Sequence, residues 1–176
     1  MKKFEVEVRT FISNSQYRKL AQKLKRIADF KKEIDEETIY CGNEHLRIRR
    51  DDKFSYLILK SGKIHQNFRK EIEIEFDRKY FQTLKELFER IGFPVRAIWL
   101  RKRKVYNWNR IKIFLDDTKG YGKILELEKI VSDKNKEKTF IDLKNKLLSL
   151  GIKEITPKKV FEQKFKNYLK NWPKLI

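Results

Sequence analysis

Charged and apolar side chains alternate along much of the chain. The stretch FEVEVR at residues 4–9 carries apolar residues at its odd steps and charged residues at its even steps. Successive side chains of a strand point to opposite faces, so such a segment has one apolar and one charged face. This alternation predicts a mostly antiparallel sheet. It recurs in LRIR (46–49), YLILK (56–60), EIEIEF (71–76), LRKR (100–103), IKIFLD (111–116) and LELE (125–128).

Apolar residues spaced three and four positions apart predict four helices. The predicted helices span residues 15–29, 78–91, 136–150 and a basic C-terminal segment at about 157–172. Asp77 is placed to cap the second helix and Gly92 to end it, and Pro157 suits the first turn of the fourth. Turn residues separate the strands at Asp51-Asp52, Ser61-Gly62, Asn107 to Asn109 and Gly120-Tyr121-Gly122.

One pattern occurs twice. LRIR is followed by a hairpin, IEIE, a helix and IGF, and LRKR is followed by a hairpin, LELE, a helix and LGI. The repeat predicts two related halves of one sheet, as in a barrel built by duplication. Because long linkers and low-complexity segments are absent from the sequence, we expect one domain over residues 1–176, with helices packed outside the sheet.

Composition narrows the functional classes. The 44 Lys and Arg against 25 Asp and Glu give a formal net charge of +19, which favours polyanionic partners. The chain is 40% apolar and 13% aromatic, too much for a disordered chain. Cys41 is the only cysteine and the sequence has no signal-type or membrane-spanning apolar run, so we expect a soluble cytoplasmic protein.

The charged face of the predicted sheet is nearly balanced, although the whole chain is strongly basic. Its members are Glu5, Glu7, Glu71, Glu73, Glu75, Asp116, Glu126 and Glu128 with Arg9, Arg47, Arg49, Lys60, Arg101, Arg103 and Lys112. An open, wetted sheet with cross-strand ion pairs of ~0.2–1 kcal/mol each would account for them. Alternatively the face lines a lumen, where carboxylates hold Mg²⁺ or Mn²⁺ and Arg and Lys hold phosphate. A metal triphosphate would satisfy both groups.

These motifs together resemble the CYTH domain family, also called triphosphate tunnel metalloenzymes. The family includes class IV adenylyl cyclases and thiamine or inorganic triphosphatases. Its E-x-E-x-K motif reads Glu5-Val6-Glu7-Val8-Arg9 here, and the similarity continues through LRIR, LILKSG, RKEIEIEF, RKRKVY and FLDDTKGYGKILELEK. The resemblance implies an α+β fold, namely an eight-stranded antiparallel β-barrel of the triphosphate tunnel type with helices packed outside.

The resemblance also implies roles for the charged residues. The implied ligands of Mg²⁺ or Mn²⁺ are Glu5, Glu7, Asp116, Glu126 and Glu128. The implied phosphate-binding residues are Arg47, Arg49, Lys60, Arg101 and Arg103. Glu73 and Arg9 are the implied catalytic residues.

Two departures from the family pattern bear on activity. Arg9 stands where the family has lysine, and arginine keeps the charge but not the compact, tunable ammonium. If that lysine activates the nucleophile, we expect weak activity or altered specificity. The Asp-x-Tyr element of cyclase-like members is degraded to EETIY at residues 36–40.

Three functions follow as hypotheses. The first is a metal-dependent phosphohydrolase that cleaves the terminal phosphoanhydride of a triphosphate, inorganic or organic, such as thiamine triphosphate. The second uses the same site as a class IV adenylyl cyclase that makes cyclic AMP and pyrophosphate from ATP. The third is a non-catalytic binder of polyanions or RNA, although nucleic acid is not the favoured partner. No membrane partner is expected, and the sequence leaves the oligomeric state open.

Other reactive residues are assigned to packing or surface. His45 and His65 have no metal-ligand spacing and are predicted surface residues. Cys41 is predicted to be a small buried thiol. The tryptophans and many Phe and Tyr residues could form a base-stacking platform for RNA, but most occupy apolar positions and are predicted core residues; the tryptophans are Trp99, Trp108 and Trp172.

Overall fold

A computed structural model describes residues 3–42, 45–61 and 68–176. In these ranges the strands, numbered in chain order, are β1 (Lys3–Ile12), β2 (Asp29–Cys41), β3 (Leu46–Arg50), β4 (Ser55–Ser61), β5 (Phe68–Phe76), β6 (Val95–Trp108), β7 (Ile111–Thr118) and β8 (Gly122–Ser132). The α-helices are α1 (Asn14–Ile27), α2 (Phe81–Arg90), α3 (Lys136–Ser149) and α4 (Lys158–Asn171). Short 3-10 turns lie at Arg78–Tyr80, Asp133–Asn135 and Trp172–Lys174.

The strands pair antiparallel into a closed barrel in the order β1-β5-β4-β3-β2-β6-β7-β8. Two three-stranded meanders, β3-β4-β5 and β6-β7-β8, are each followed by a helix, and they correspond to the two copies of the sequence repeat. Within the described ranges, β1 and β5 share the shortest pairing, with Glu5 opposite Arg69 and Val6 opposite Phe68. The predicted α+β fold with an eight-stranded antiparallel barrel is confirmed.

Local sequence signals explain where the helices begin and end. Ser13 caps α1 by accepting from the Gln16 N–H at 3.1 Å, and the Gln16 side chain accepts in return from the Ser13 N–H at 2.8 Å. Asp77 accepts from the Lys79 N–H at 2.9 Å and so caps the 3-10 turn that leads into α2. Gly92 follows α2 with φ 90°, a conformation that glycine adopts without strain. None of the helices in the described ranges has the length and hydropathy needed to cross a membrane.

Two sequence-based boundaries are wrong, and one strand was not predicted. The first helix stops at Ile27, because β2 begins at Asp29, and the sequence analysis assigned no strand to residues 29–41. The predicted turn at Asn107 to Asn109 starts too early, because β6 continues through Trp108. The turn itself consists of Asn109 and Arg110, both with positive φ, which matches the twist of a two-residue hairpin. Gly62, in the predicted Ser61-Gly62 turn, lies outside the described residues.

Helices α1 and α3 bury the outer face of β1 and β8. Leu24 of α1 and Leu143 and Leu147 of α3 are fully buried against Val6 and Leu127 of these strands. A second cluster lies under α2, where Phe81 and Phe88 pack on strand residues of β2 and β3. These contacts hold the apolar faces outward and leave the charged faces to line the barrel interior.

The outer face of β4 and β5 is less covered than the alternation alone suggests. Leu59, Ile72 and Ile74 point away from the barrel interior but are 40%, 59% and 55% exposed. The helices therefore do not cover the apolar side of every strand.

Truncation of α3 tests this packing. We expect Leu143→Ala to lower the free energy of unfolding by about 2–5 kcal/mol, because the side chain is fully buried between helix and barrel. The matched control is Ile141→Ala on the same helix, where the side chain is 58% exposed and little should change. Urea denaturation of both variants measures the difference. Equal losses would contradict the described packing.

Candidate active site

The charged faces of the strands enclose a cavity of about 610 Å³. Fourteen of the fifteen charged residues predicted to share one face line it, and Glu75 does not. All twelve residues with a role implied by the family resemblance are among its lining: Glu5, Glu7, Arg9, Arg47, Arg49, Lys60, Glu73, Arg101, Arg103, Asp116, Glu126 and Glu128. An open, wetted sheet therefore does not describe this face. Their individual roles stay predictions.

Carboxylates are concentrated where β1 meets β8. Glu7 lies directly opposite Glu128 in the strand register, an arrangement of like charges that is unfavourable by itself. Burial raises the pKa of Glu5 from 4.5 to about 8, with Lys60 opposing the shift and Glu128 adding to it. Burial also raises the pKa of Glu128, and the neighbouring Glu126 raises it further. This part of the lumen thus carries more negative charge than its surroundings stabilise.

The chemistry of these carboxylates fits a hard divalent cation. Among the described residues, no three His, Cys, Asp or Glu side chains already form a ligand set around one point. The potential metal-ligand atoms in the lumenal side chains of β1 and β8 are nevertheless all carboxylate oxygens, the ligands that Mg²⁺ and Mn²⁺ prefer. A bound cation would also relieve the repulsion between Glu7 and Glu128. The residues that would hold it are Glu5, Glu7, Glu126 and Glu128.

A buried ion network lies on β2, β6 and β7, and its Arg103 Nη2 also lies 3.5 Å from Glu126 Oε1 of the neighbouring β8. The Arg101 Nε donates to Glu36 Oε2 at 2.8 Å. Arg103 donates to both carboxylate oxygens of Asp116, each at 2.7 Å. Burial by itself would raise the pKa of Glu36, but Arg101 and Arg103 outweigh it and lower the pKa to about 2. These four side chains are mutually satisfied and fix one wall of the lumen.

The network changes the interpretation of two residues. Asp116, whose implied role is metal ligation, has both carboxylate oxygens engaged by Arg103, so in this arrangement it orients the arginine. Glu36 is missing from the sequence-based site because β2 was not recognised as a strand. The available signal was its position in EETIY, two residues before Thr38 and four before Tyr40, which line the same cavity.

Acids and bases also interleave on β3, β4 and β5. Arg49 pairs with Glu73 at 3.0 Å, and Lys60 lies 3.5 Å from Glu5 and 2.5 Å from Glu71. In the described structure, the buried Nε of Arg49 has no hydrogen-bond acceptor. This N–H is a donor that a bound anion could satisfy.

Four lumenal arginines each lie over an aromatic ring, which the sequence analysis did not predict. The guanidinium-to-ring distances are 4.8 Å for Arg9 over Phe161, 4.7 Å for Arg47 over Tyr40, 4.5 Å for Arg49 over Tyr56 and 4.0 Å for Arg103 over Phe114. Stacking occupies the face of a guanidinium and leaves its in-plane N–H groups able to bind oxygen. The rings therefore orient the cations of the cavity.

Helix α4 closes one end of the lumen. Phe161 and Phe165 line the cavity and pack with Trp99 and Tyr121, whose ring centroids are 4.4 Å apart. Trp99 is only 8% exposed, which confirms it as a core residue rather than a base-stacking platform. Trp108 packs against the cluster under α1 and α3, and Trp172 packs against the aromatic cluster formed by Trp99, Tyr121, Phe161 and Phe165.

The remaining reactive residues lie apart from this chemistry. Cys41 is buried, as predicted, and burial raises the pKa of its thiol to about 11. His45 is half-buried at the start of β3, rather than a fully exposed surface residue. His65 lies outside the described residues.

Comparison with known proteins agrees with this geometry. The family model for the CYTH domain matches residues 3–159. The chain belongs to the CYTH domain family. A protein of Methanocaldococcus jannaschii named "Putative adenylate cyclase" is 31% identical over 165 residues, which cover 84% of this chain and 90% of that protein.

Solved structures share the fold of this CYTH protein. A Pyrococcus horikoshii protein is 26% identical with a TM-score of 0.69, covering 85% of this chain and 92% of its own. A Hippeastrum protein described as a "putative adenylyl cyclase" with a dominant triphosphatase activity is 21% identical with a TM-score of 0.65, covering 86% and 89%. CYTH family members are enzymes of the triphosphatase and adenylyl cyclase type.

The buried network gives a stability prediction. We expect Glu36→Gln to lower the free energy of unfolding at neutral pH by about 3–5 kcal/mol, because it removes the nearer counter-charge of the buried Arg101 and leaves both arginines to share Asp116. The pKa of Glu36 is about 2 in the folded state, against an ordinary value of 4.5. Its stabilising contribution is therefore fully present above pH 4.5 and is lost as the pH falls toward 2. Urea unfolding at pH 7 and at about pH 3 should therefore show the gap to the native protein narrowing in acid.

A matched control lies on the same strand. Glu33 is 50% exposed and pairs with Lys104 at 3.4 Å, so Glu33→Gln should cost less than about 1 kcal/mol at either pH. A gap between native protein and Glu36→Gln that does not depend on pH would contradict the assigned role of Glu36.

Proposed function

We propose that this CYTH protein is a divalent-metal-dependent phosphohydrolase that cleaves the terminal phosphoanhydride of a triphosphate bound in the lumen. The observation that carries the proposal is one enclosed cavity in which carboxylates on β1 and β8 face cations on β3, β4 and β6. A chain of triphosphate oxygens is an anion long enough to contact several of these cations at once. The family's action on triphosphates supports the same assignment.

Arginines and lysine of the lumen hold the phosphates. Arg47 and Arg49 each lie over a tyrosine ring, which restricts the guanidinium and leaves its N–H groups able to bind phosphate oxygens. Lys60 adds a compact charge, and its pKa stays raised because Glu5 and Glu71 outweigh the effect of burial. Positioning of this kind supplies much of the rate acceleration in phosphoryl transfer.

The carboxylates have a separate role. Glu5, Glu7, Glu126 and Glu128 would hold Mg²⁺ or Mn²⁺, which, when bound, neutralises charge on the phosphate oxygens. Glu73 is held by Arg49 at 3.0 Å and is 39% exposed, so its carboxylate can orient a water molecule. That water attacks the terminal phosphorus, Glu73 accepts its proton, and the phosphoanhydride bond breaks to leave a diphosphate. The triphosphatase activity of the Hippeastrum neighbour supports hydrolysis as the reaction.

A class IV adenylyl cyclase is the second candidate, because the relative at 31% identity carries the adenylate cyclase name. In that reaction the ribose 3′-hydroxyl of ATP attacks the α-phosphorus and pyrophosphate leaves. Water and the 3′-hydroxyl would use the same lumen. The products therefore distinguish the two reactions.

Product analysis tests the proposal. We expect tripolyphosphate or thiamine triphosphate, incubated with Mg²⁺ or Mn²⁺, to release orthophosphate, and Glu126→Gln to lower the rate by about 100-fold or more because one charged ligand is lost. Orthophosphate, pyrophosphate and cyclic AMP are measured together, with ATP in parallel. Glu137→Gln on the exposed surface of α3 is the control and should retain full activity.

Two results would overturn hydrolysis. Cyclic AMP and pyrophosphate from ATP, without orthophosphate from any triphosphate, would favour the cyclase. No turnover by the native protein, combined with nucleic-acid binding that Glu5→Gln and Glu126→Gln leave intact or raise, would favour a non-catalytic polyanion binder.

A further inference from the structure

Phe161 packs the C-terminal helix α4 against β1, the first of the strands that line the lumen. Its ring stacks on Phe11 with centroids 4.4 Å apart and planes at 22°, and the Arg9 guanidinium lies 4.8 Å from the ring centre. Arg9 and Phe11 are two residues apart on β1 and so share its lumenal face. Phe161 therefore contacts both, although it lies just beyond residues 3–159, the part matched by the family model.

A pair of threonines fixes the position of this ring. The Thr156 N–H donates to Thr10 Oγ1 at 3.0 Å, and the Phe11 N–H donates to Thr156 Oγ1 at 3.0 Å. The two hydroxyl oxygens are 2.9 Å apart. These bonds attach the segment before α4 to β1 immediately beside Arg9. Phe161, which is 3% exposed, follows within the first turn of the helix and is thereby held over the strand.

Arg9 also has carboxylates close to it. Its Nη1 lies 3.6 Å from Glu7 Oε1, and Glu126 is its cross-strand neighbour. A flexible cation in this position would move toward these carboxylates and neutralise them. A ring over the guanidinium restricts that movement and leaves the in-plane N–H groups able to bind oxygen.

We propose that Phe161 is a positioning residue for Arg9, which holds the guanidinium in the plane that meets the bound triphosphate. The proposal rests on the proposed function for the nature of the ligand. It also accounts for arginine where the family has lysine, because a planar guanidinium lies flat on a ring and keeps its donors in one plane, which an ammonium does not. Arg9, at the position of the family lysine, and Phe161 of the C-terminal helix then act as a pair.

The first experiment tests the position of the Phe161 ring relative to Arg9 and requires no enzyme turnover. In NMR spectra, the ring current of Phe161 shifts the side-chain protons of Arg9, and we expect Phe161→Leu to remove that shift and Phe161→Tyr to keep it. Phe88→Leu on α2 removes a comparably buried ring from another hydrophobic cluster and should leave the Arg9 signals unchanged. Unchanged Arg9 signals in Phe161→Leu would overturn the proposal.

The second experiment tests the effect of Phe161 on the kinetics of tripolyphosphate hydrolysis. We expect Phe161→Leu to raise the KM for tripolyphosphate about tenfold with a smaller change in kcat, the size expected for loss of one desolvated cation–ring contact. Phe161→Tyr should restore the native KM. Arg9→Lys should raise KM in the native protein but add little in the Phe161→Leu background, because coupled residues do not act additively.

These outcomes separate the two proposals. If the native protein neither binds nor hydrolyses tripolyphosphate, the proposed function fails, while the NMR signals of Arg9 still decide whether Phe161 lies over its guanidinium. If Phe161→Leu does not fold, Thr156→Val removes the attachment of α4 and should weaken the same ring-current shift. Additive effects of Arg9→Lys and Phe161→Leu on KM would show that the ring serves packing alone.

Discussion

Burial of many charged side chains inside a closed barrel is the constraint on which this structure depends. A buried charge is costly unless a counter-charge or a ligand compensates it. The wall formed by Arg101, Arg103, Glu36 and Asp116 meets this requirement internally, with two parallel hydrogen bonds between Arg103 and Asp116. The carboxylates of β1 and β8 meet it less closely, since their cations lie at 3.5–3.7 Å and burial and like-charged neighbours raise the pKa of Glu5 and of Glu128.

This difference divides the lumen into a structural part and a part prepared for a ligand. Residues that satisfy one another hold the barrel wall. Asp116 is one of them in this arrangement, and its implied role in metal ligation stays a prediction. A bound cation and polyphosphate would lower the free energy of the folded protein most at the less compensated carboxylates of β1 and β8. The proposed hydrolysis therefore uses the charges that the folded chain leaves unbalanced.

Aromatic rings restrict the orientation of the lumenal arginines, which ion pairing alone does not fix. Long cationic side chains can pair with several carboxylates, but a ring beneath each guanidinium selects one orientation. Tyr40, Tyr56 and Phe114 come from the barrel, whereas Phe161 comes from α4 and reaches Arg9 from outside the part matched by the family model. The C-terminal helix thereby takes part in the site and also closes one end of it.

The sequence by itself determined nearly all the charged side chains that face the lumen, because a strand alternates with a strict period of two and so separates its charged face from its apolar face. Glu5, Glu126 and the other implied site residues follow from that rule. It failed for β2, whose first half carries charges on both faces, so Glu36 went unrecognised. Only the tertiary structure decided that Asp116 pairs with Arg103 and that Phe161 lies over Arg9. These partners are far apart in sequence, and no local pattern encodes a contact that barrel closure and helix docking create.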